Sequence, residues 1–417
     1  MSALPQDFIT SMQQQLGDHE AAQLCCALEG SEPPVSVRLN PRKSLSAADA
    51  QSLLDGAERV GWCAGGYYLP QRPQFTLDPL FHAGCYYVQE ASSMFVEQAW
   101  RTVEARLGTG DAASASEVRC LDLCAAPGGK STLWRSLLPE KSPLVVNEPD
   151  RKRAEVLNEN MQKWGYGHVM VCNAYPADFA AYASGYFNVV AADVPCSGEG
   201  MFRKDPASRD EWSLAKVAEC AALQRSIIGD VWPALCPGGF LVYSTCTFNR
   251  HEDEDNVAWI CRELGARVVP LSVEKEWGVV EGRTADGTLA GYHFFPHRAK
   301  GEGFFLCLLQ KDGNAPLAAR HHLEHIRHFA WDAYVQKGPK QVPQHVLAMN
   351  PDRAAEFPTC DLPRDVALAY LRREALSIDA PRGYVVVTYH GHPLGFVNNI
   401  GPRANNLYPQ EWRIRHL

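Results

Sequence analysis

The sequence predicts an α/β protein organised on one doubly wound sheet, and three observations carry that reading. From Val118 to about Leu264, short apolar runs rich in β-branched residues alternate with helical stretches, the pattern of successive β-α units. The first of these units turns on Pro127, Gly128 and Gly129, a tight turn that lets backbone approach a ligand closely. Two later runs, YFNVVAAD and GGFLVY, each end in a cysteine motif, PCSGEG from Pro195 and STCT from Ser244. Cys196 and Cys246 should therefore leave the carboxyl ends of two strands, the edge at which open α/β sheets bind ligands. If the two strands are neighbours, both thiols face one pocket.

At 417 residues the chain exceeds one ordinary core, so two or three domains are expected. Hydrophobic residues make up 46% and charged residues 21%, which excludes a disordered chain. The start, MSALPQD, lacks the basic and apolar segments of a leader, and no run reaches membrane-spanning length; a soluble, cytoplasmic protein is expected. Fourteen cysteines without a CxxC pair point to free thiols in a reducing compartment rather than zinc, and no metal is expected. The formal net charge of -8 argues against a general nucleic-acid coat, while the region after Gln310 is the mildly basic part. The protein is expected to act as a monomer.

In chain order, DFITSMQQQL and DHEAAQLCCALEG read as short helices and VSVRLN as a strand. Arg38, Asn40, Arg42 and Lys43 around that strand are candidates for phosphate contacts, against the alternative of a solvated strand edge. Trp62, Tyr67 and Tyr68 read as packing. Met94, Phe95, Val96 and Ala99 fall at helical spacing, for a helix covering the sheet, and Gly108 to Glu117 reads as a surface loop. The segment after MFRKDP should be a long helix with Leu214, Val217, Leu223 and Ile227 on one face. Asp253 to Asp255 near the start of the next helix complement its macrodipole, without a metal.

FFLCLL near Phe304 adds a strand. HHLEHIRH sets His321, His325 and His328 at helical spacing, with no acids or cysteines at ligand spacing. Asp361 is expected to cap a short helix that turns Val366, Tyr370 and Leu371 inward, and GYVVVTYHGHPLGFVNNIG reads as a hairpin turning at His390 and Gly391. Arg403, Arg413 and Arg415, among Tyr408 and Trp412, form a basic and aromatic rim of the kind that binds RNA.

The strand PLVVNE ends in Glu148, 20 residues after Gly128, where an acid suits ribose hydroxyls. The turn is neither GxGxxG nor a P-loop, so a ribose acid without a pyrophosphate cradle fits S-adenosylmethionine better, unless it is only the β-α turn every doubly wound sheet needs. A methyl donor beside two thiols and Asp193 suits methylation of cytosine carbon 5. That carbon is a poor nucleophile until a thiolate adds at carbon 6, and Asp193 near N3 and N4 would stabilise the adduct. The cation that would lower the thiol's pKa is not visible in the sequence.

At these residues the chain resembles the RNA cytosine-C5 methyltransferases of the NOL1/NOP2/Sun family. LDLCAAPGGKSTL, DVPCSGEG, the RKDP that follows and YSTCT look like its successive motifs, and VSVRLNPRK and YYVQEASSM like further segments. The resemblance implies a Rossmann-like class I methyltransferase sheet over 76–310, with an N-terminal α/β extension that binds RNA over 1–75. A linker and a small β-rich PUA-like RNA-binding domain are implied over 311–417. It implies S-adenosylmethionine held by Cys124, Ala125, Ala126, Pro127, Gly128, Gly129 and Lys130, with Glu148 and Asp193. Cys246 would be the nucleophile and Cys196 the thiol that assists release, with Asp193 and Lys130 beside them; Lys204 matches a charged motif position on the RNA side.

GHPLGFVNNIGPRANNLYPQEWRIR is similar to the end of the bacterial members that act on small-subunit 16S rRNA, particularly the F type. Tyr175 stands where many relatives carry an aspartate that contacts the adenine end of the cofactor, with Asp178 nearby, and the region after Gln310 is shorter than in enterobacterial members. Three alternatives stay open: a tRNA substrate, an RNA-binding assembly factor without activity, and reversed thiol roles, as in DNA cytosine methyltransferases.

Overall fold

The computed structural model describes residues 3–108, 117–205, 207–314 and 321–415. Most of the loop expected at Gly108 to Glu117 lies outside them. Helices Gln6–Leu16 and Asp18–Gly30 form where expected and bury Phe8, Met12, Leu24 and Leu28 against Phe202, Trp212 and Phe248. The first helices therefore pack under the loops that follow both cysteine motifs.

A four-stranded sheet comes next, with β1 (Val35–Leu39), β2 (Glu58–Arg59), β3 (Gly66–Leu69) and β4 (Tyr86–Val88) in the order β2-β3-β1-β4. This unit extends past residue 75, because β4 returns to close on β1. β1 is interior, not an edge, and Trp62 and Tyr68 are buried packing. The helix Val96–Leu107 buries Val96, Ala99, Trp100 and Val103 on the large sheet.

That sheet holds nine strands: β5 (Cys120–Asp122), β6 (Leu144–Asn147), β7 (Val169–Cys172), β8 (Phe187–Asp193), β9 (Leu235–Thr245), β10 (Ala266–Val268), β11 (Val280–Arg283), β12 (Leu289–Phe294) and β13 (Phe304–Lys311). The order is β11-β12-β13-β9-β8-β5-β6-β7, with β10 on β13; β9 to β7 run parallel, while β10 to β13 pair antiparallel. The chain moves outward from β5 through β6 to β7, then returns to place β8 on the other side of β5. The switch point thus lies between β5 and β8, where the crevice of a doubly wound sheet opens. β8 and β9 are neighbours, pairing Asp193 with Ser244.

The helix Leu214–Val231 is present, but its buried row is Val217, Cys220, Ala221, Gln224, Ile228 and Val231, whereas Leu214 and Leu223 are exposed. Apolarity alone misplaced that face, because Gln224 is drawn inward by buried hydrogen bonds. HHLEHIRH forms only a short 3-10 turn, Leu323–His325, and Glu324 lies beside His322, an acid the histidine spacing overlooked. Beyond it, β14 (Tyr334–Lys337) and β15 (Lys340–Pro343) make a hairpin.

The last sheet orders β16 (Thr359–Asp361), β17 (Gly383–Tyr389), β18 (His392–Asn399) and β19 (Ala404–Asn406) in sequence. β17 and β18 turn at His390 and Gly391, both with positive φ, as expected of a tight hairpin. Asp361 does not cap the helix Arg364–Leu371: its carboxylate accepts from Thr388 Oγ1 and Gly391 N, and Pro363 takes the cap position. Tyr370 and Leu371 do point inward, into a core shared with Val37, Leu80 and Tyr86 of the first sheet. The two terminal units are therefore joined by one hydrophobic core. Among the described residues no helix is long and apolar enough to cross a membrane.

Candidate active site

The site begins with the turn after β5. Gly128 has φ +117, a conformation favouring glycine, and a Cβ there would lie 3.3 Å from Leu157 Cδ1. The turn Cys124 to Gly128 then feeds the helix Gly129–Leu137. Ala125 is buried, Cys124 and Ala126 are partly so, and Pro127 is exposed. Burial pushes the Cys124 thiol up, so this cysteine stays a neutral part of the wall.

Glu148, just past β6, is buried; it accepts from Asp150 N at 3.0 Å and pairs with Arg153 at 3.3 Å. Tyr175 is 71% exposed, and Asp178 is engaged as a helix cap, accepting from Tyr175 N at 2.9 Å. The close-approach glycine, the turn and a carboxylate one strand over fit a nucleoside-bearing group at the carboxyl ends of β5 and β6.

On the other side of the switch point stand the thiols. Cys196 Sγ and Cys246 Sγ are 3.2 Å apart. The Cys246 hydrogen bond comes first, and burial second, in holding the Cys196 thiol well above the ordinary range. The two thiols are thus in hydrogen-bond contact, with either sulfur able to donate.

Asp193, at the end of β8, accepts from Lys130 Nζ and from Ser244 Oγ, each at 2.8 Å. Burial works to lower the Lys130 ammonium's pKa, but the Asp193 carboxylate and then Cys246 outweigh it, and the pKa is raised. Lys130 therefore remains a cation, in the cavity that Cys246 also lines. Beneath it, burial lifts the Asp122 carboxyl to about 7, opposed by the Ser131 hydroxyl that donates to it at 2.6 Å.

Cys246, Lys130, Asp193, Tyr87, Phe304 and Lys204 line one cavity of about 280 Å³, together with Cys124 to Pro127. Lys204 sits half-exposed at its rim, 3.4 Å from Glu302.

Two buried carboxylates fasten the thiol loops together, and the sequence reading missed both. Glu252 accepts from Ser197 N, beside Cys196, at 3.0 Å, from Gln224 at 2.7 Å and from Asn249 at 2.8 Å. Glu199 accepts from Phe248 N at 2.7 Å, Asn249 N at 3.1 Å and Trp212 Nε1 at 3.0 Å. The available signals were an acid inside PCSGEG and a glutamine among the apolar positions of a helix.

Of the residues expected to meet RNA, Arg38 is a correction. It is 2% exposed, donates to Gln89 at 2.8 Å and Thr132 at 2.6 Å, and lies over Trp164. It ties β1 to the helix carrying Lys130, because an interior strand has no solvent edge. Asn40 and Lys43 are likewise buried on backbone carbonyls. Arg42 is partly exposed and pairs with Asp352 and Glu140. Arg403, Arg413 and Arg415 are exposed, away from the thiol cavity.

Comparison with known proteins follows the same division of the chain. The family model for 16S rRNA methyltransferase RsmB/F matches residues 113–310, that for the N-terminal domain of 16S rRNA methyltransferase RsmF residues 4–91, and that for the methyltransferase RsmF PUA domain residues 357–414. The chain belongs to the RsmB/F methyltransferase family.

Ribosomal RNA small subunit methyltransferase F of Enterobacter sp. (strain 638) is 29% identical over 98% of this chain and 95% of its own length. Its counterpart in Shewanella sp. (strain ANA-3) is 33% identical over 76% of this chain, which there spans 64% of the relative. Among solved structures, NSun6 from Pyrococcus horikoshii with SFG aligns at TM-score 0.61 and 19% identity, over 75% of this chain and 99% of that one. A methyltransferase homolog from the same organism aligns at 0.58 and 22%, over 74% and 100%. These likenesses bear on the fold: an RsmB/F member with a Rossmann-like methyltransferase sheet, an N-terminal domain and a PUA domain.

Proposed function

We propose that this RsmB/F member methylates carbon 5 of a cytidine in 16S rRNA, through a covalent bond from Cys246 to carbon 6 of the base. The observation that carries the reading is the thiol pair, 3.2 Å apart, of which Cys246 lines one cavity with the Lys130–Asp193 ion pair. S-adenosylmethionine would be held by the Cys124 to Gly129 turn with Lys130, Glu148 and Asp193, and would supply the electrophilic methyl group.

The chain's own residues do the rest. Cys246 attacks as its thiolate, from a cavity that it shares with the Lys130 ammonium. That thiolate adds to carbon 6 and moves electron density to carbon 5, which then takes the methyl group. Asp193, fixed by Ser244 and Lys130, accepts from the exocyclic amine and orients the ring. Once Cys246 is bonded to carbon 6, Cys196 gives its proton to solvent and, as thiolate, takes the carbon 5 proton; the electron pair of that C–H bond re-forms the carbon 5–carbon 6 double bond and expels the Cys246 thiolate. The base must leave its stack to enter the cavity, and Lys204 at the rim meets the backbone that presents it.

Replacing each cysteine by alanine tests the assignment with cofactor and unmethylated 16S rRNA. Cys196→Ala should accumulate an RNA adduct that survives denaturing electrophoresis, and Cys246→Ala should form none. Adduct from Cys246→Ala but not from Cys196→Ala would reverse the roles, and the absence of methyl transfer to cytosine by the unaltered enzyme would overturn the function.

A further inference from the structure

Outside the cavity that Cys246 lines are three buried ionisable side chains that the reaction does not use. Asp253, Glu254 and His293 are 0%, 5% and 2% exposed. Asp253 and Glu254 begin the helix Glu254–Leu264, and His293 reaches them from β12. A macrodipole accounts for acids on a solvated first turn, not for two carboxylates removed from water.

Each of the three keeps a polar atom without a hydrogen-bond partner: Asp253 Oδ2, Glu254 Oε2 and His293 Nδ1. An imidazolium shared between the acids does not remove the deficit. His293 Nε2 meets Glu254 Oε1 at 2.8 Å, but Nδ1 stands 3.9 Å from Asp253 Oδ2, too far for a hydrogen bond. Buried polar atoms are rarely left so, and three in one cluster call for an additional partner.

We propose that Asp253, Glu254 and His293 form a binding site for one divalent first-row metal ion of the zinc or manganese class. One ligand atom from each residue lies within 4.8 Å of the others, a separation that an ion with bonds of about 2.0–2.2 Å spans after small rotations. Two carboxylates and an imidazole match that class: no thiolate is present to select softer ions, and protein oxygens are too few for calcium. The ion's positive charge would offset that of the carboxylates bound to it, which lowers the cost of burying them.

Access comes from an adjoining cavity of about 360 Å³, lined by Glu254 and His293 together with Glu20, Arg250 and His297. There is room in it for water to complete the coordination. Gly282 on β11 keeps the way open, since a Cβ there would lie 2.7 Å from Glu254 Oε1 and 3.1 Å from the His293 ring. The ion's role is structural. Asp253 accepts through its other oxygen from Thr245 Oγ1 at 2.6 Å, one residue before Cys246, so the ion would tie that turn to β12.

The test is metal binding by the full-length protein after removal of bound metal with a chelator. Titration with zinc or manganese chloride should show one equivalent bound. Cobalt loading should give visible bands of nitrogen and oxygen ligands without the intense near-ultraviolet bands of thiolate coordination. His293→Gln and Asp253→Asn should weaken binding by about 100-fold or more, since loss of an outer partner alone costs 10–100-fold. Cys196→Ala and Cys246→Ala should bind as the unaltered protein does. Thiolate bands, affinity unchanged in a folded His293→Gln, or no uptake by the unaltered protein would each overturn the proposal. If neither variant folds, the cobalt spectrum of the unaltered protein decides.

Discussion

Replacing Glu252 by glutamine should separate the holding of the thiols from their chemistry. The side chain is fully buried, and both oxygens accept: one from Asn249 Nδ2 at 2.8 Å, the other from Ser197 N at 3.0 Å and Gln224 Nε2 at 2.7 Å. An amide of the same shape turns one acceptor into a donor. In the less costly orientation it faces Asn249, which cannot turn in response, because its own carbonyl already accepts from Glu252 N at 3.0 Å. One charge-assisted bond is lost and two donors are opposed, a cost of about 1–3 kcal/mol.

The larger effect falls on rate. Ser197 adjoins Cys196, and a displacement of about 1 Å at a reacting group costs about 100-fold. Urea unfolding should show the stability loss, and single-turnover methyl transfer should fall about 100-fold while RNA and cofactor dissociation constants stay within about twofold. The expected signature is slow formation of the Cys246 adduct with binding intact. Full single-turnover rate in a destabilised variant would refute the claim that Glu252 positions the thiols, and unchanged stability would refute the hydrogen-bond argument itself.

Two further outcomes follow from the same geometry. Asp122 has a folded pKa of about 7, raised by burial from 3.8, so the folded state binds the proton more tightly than the unfolded chain. Its contribution is fully present below about pH 4 and is lost as pH rises toward and through 7, a change of about 4 kcal/mol by pH 7. Asp122→Asn should remove that slope in urea unfolding followed across pH 4 to 8; an unchanged slope would show that the carboxyl is ionised in the fold. On the RNA side, replacing Arg403, Arg413 and Arg415 together by alanine should weaken binding and lower the salt slope by about 3, one for each phosphate no longer neutralised. An unchanged slope would place the RNA elsewhere. Point substitutions suit this test better than deletion of the last sheet, since deletion would break the core that Tyr370 and Leu371 share with Val37.

The parallel sheet was legible because each of its strands is a short apolar run closed by a turn, and its helices carry their own period. β11 and β12 were passed over, being short and built around the glycine-bearing ADGT turn. Failures elsewhere share one cause: sequence patterns assign a side chain to inside or outside by its polarity. Arg38, Lys43, Glu199, Glu252 and Gln224 are polar and inside, each offset by hydrogen bonds to segments remote in the chain. Arg38 reaches Gln89 and Thr132, and Glu252 reaches Ser197 and Gln224, pairings that no local window contains.

The division of labour between the thiols shows what the structure adds beyond resemblance. Spacing placed both cysteines at strand ends and treated them alike, and only family likeness distinguished attack from release. In the folded chain they differ physically. Both are partly buried, but of the two it is Cys246 that lines the cavity with Lys130, Asp193 and Phe304, while the hydrogen bond to Cys246 first and burial second hold the Cys196 thiol well above its ordinary range. Under the proposed assignment, Cys246 attacks from the cavity that also holds the Lys130 ammonium, and Cys196, 3.2 Å away, is the thiol left to act in release.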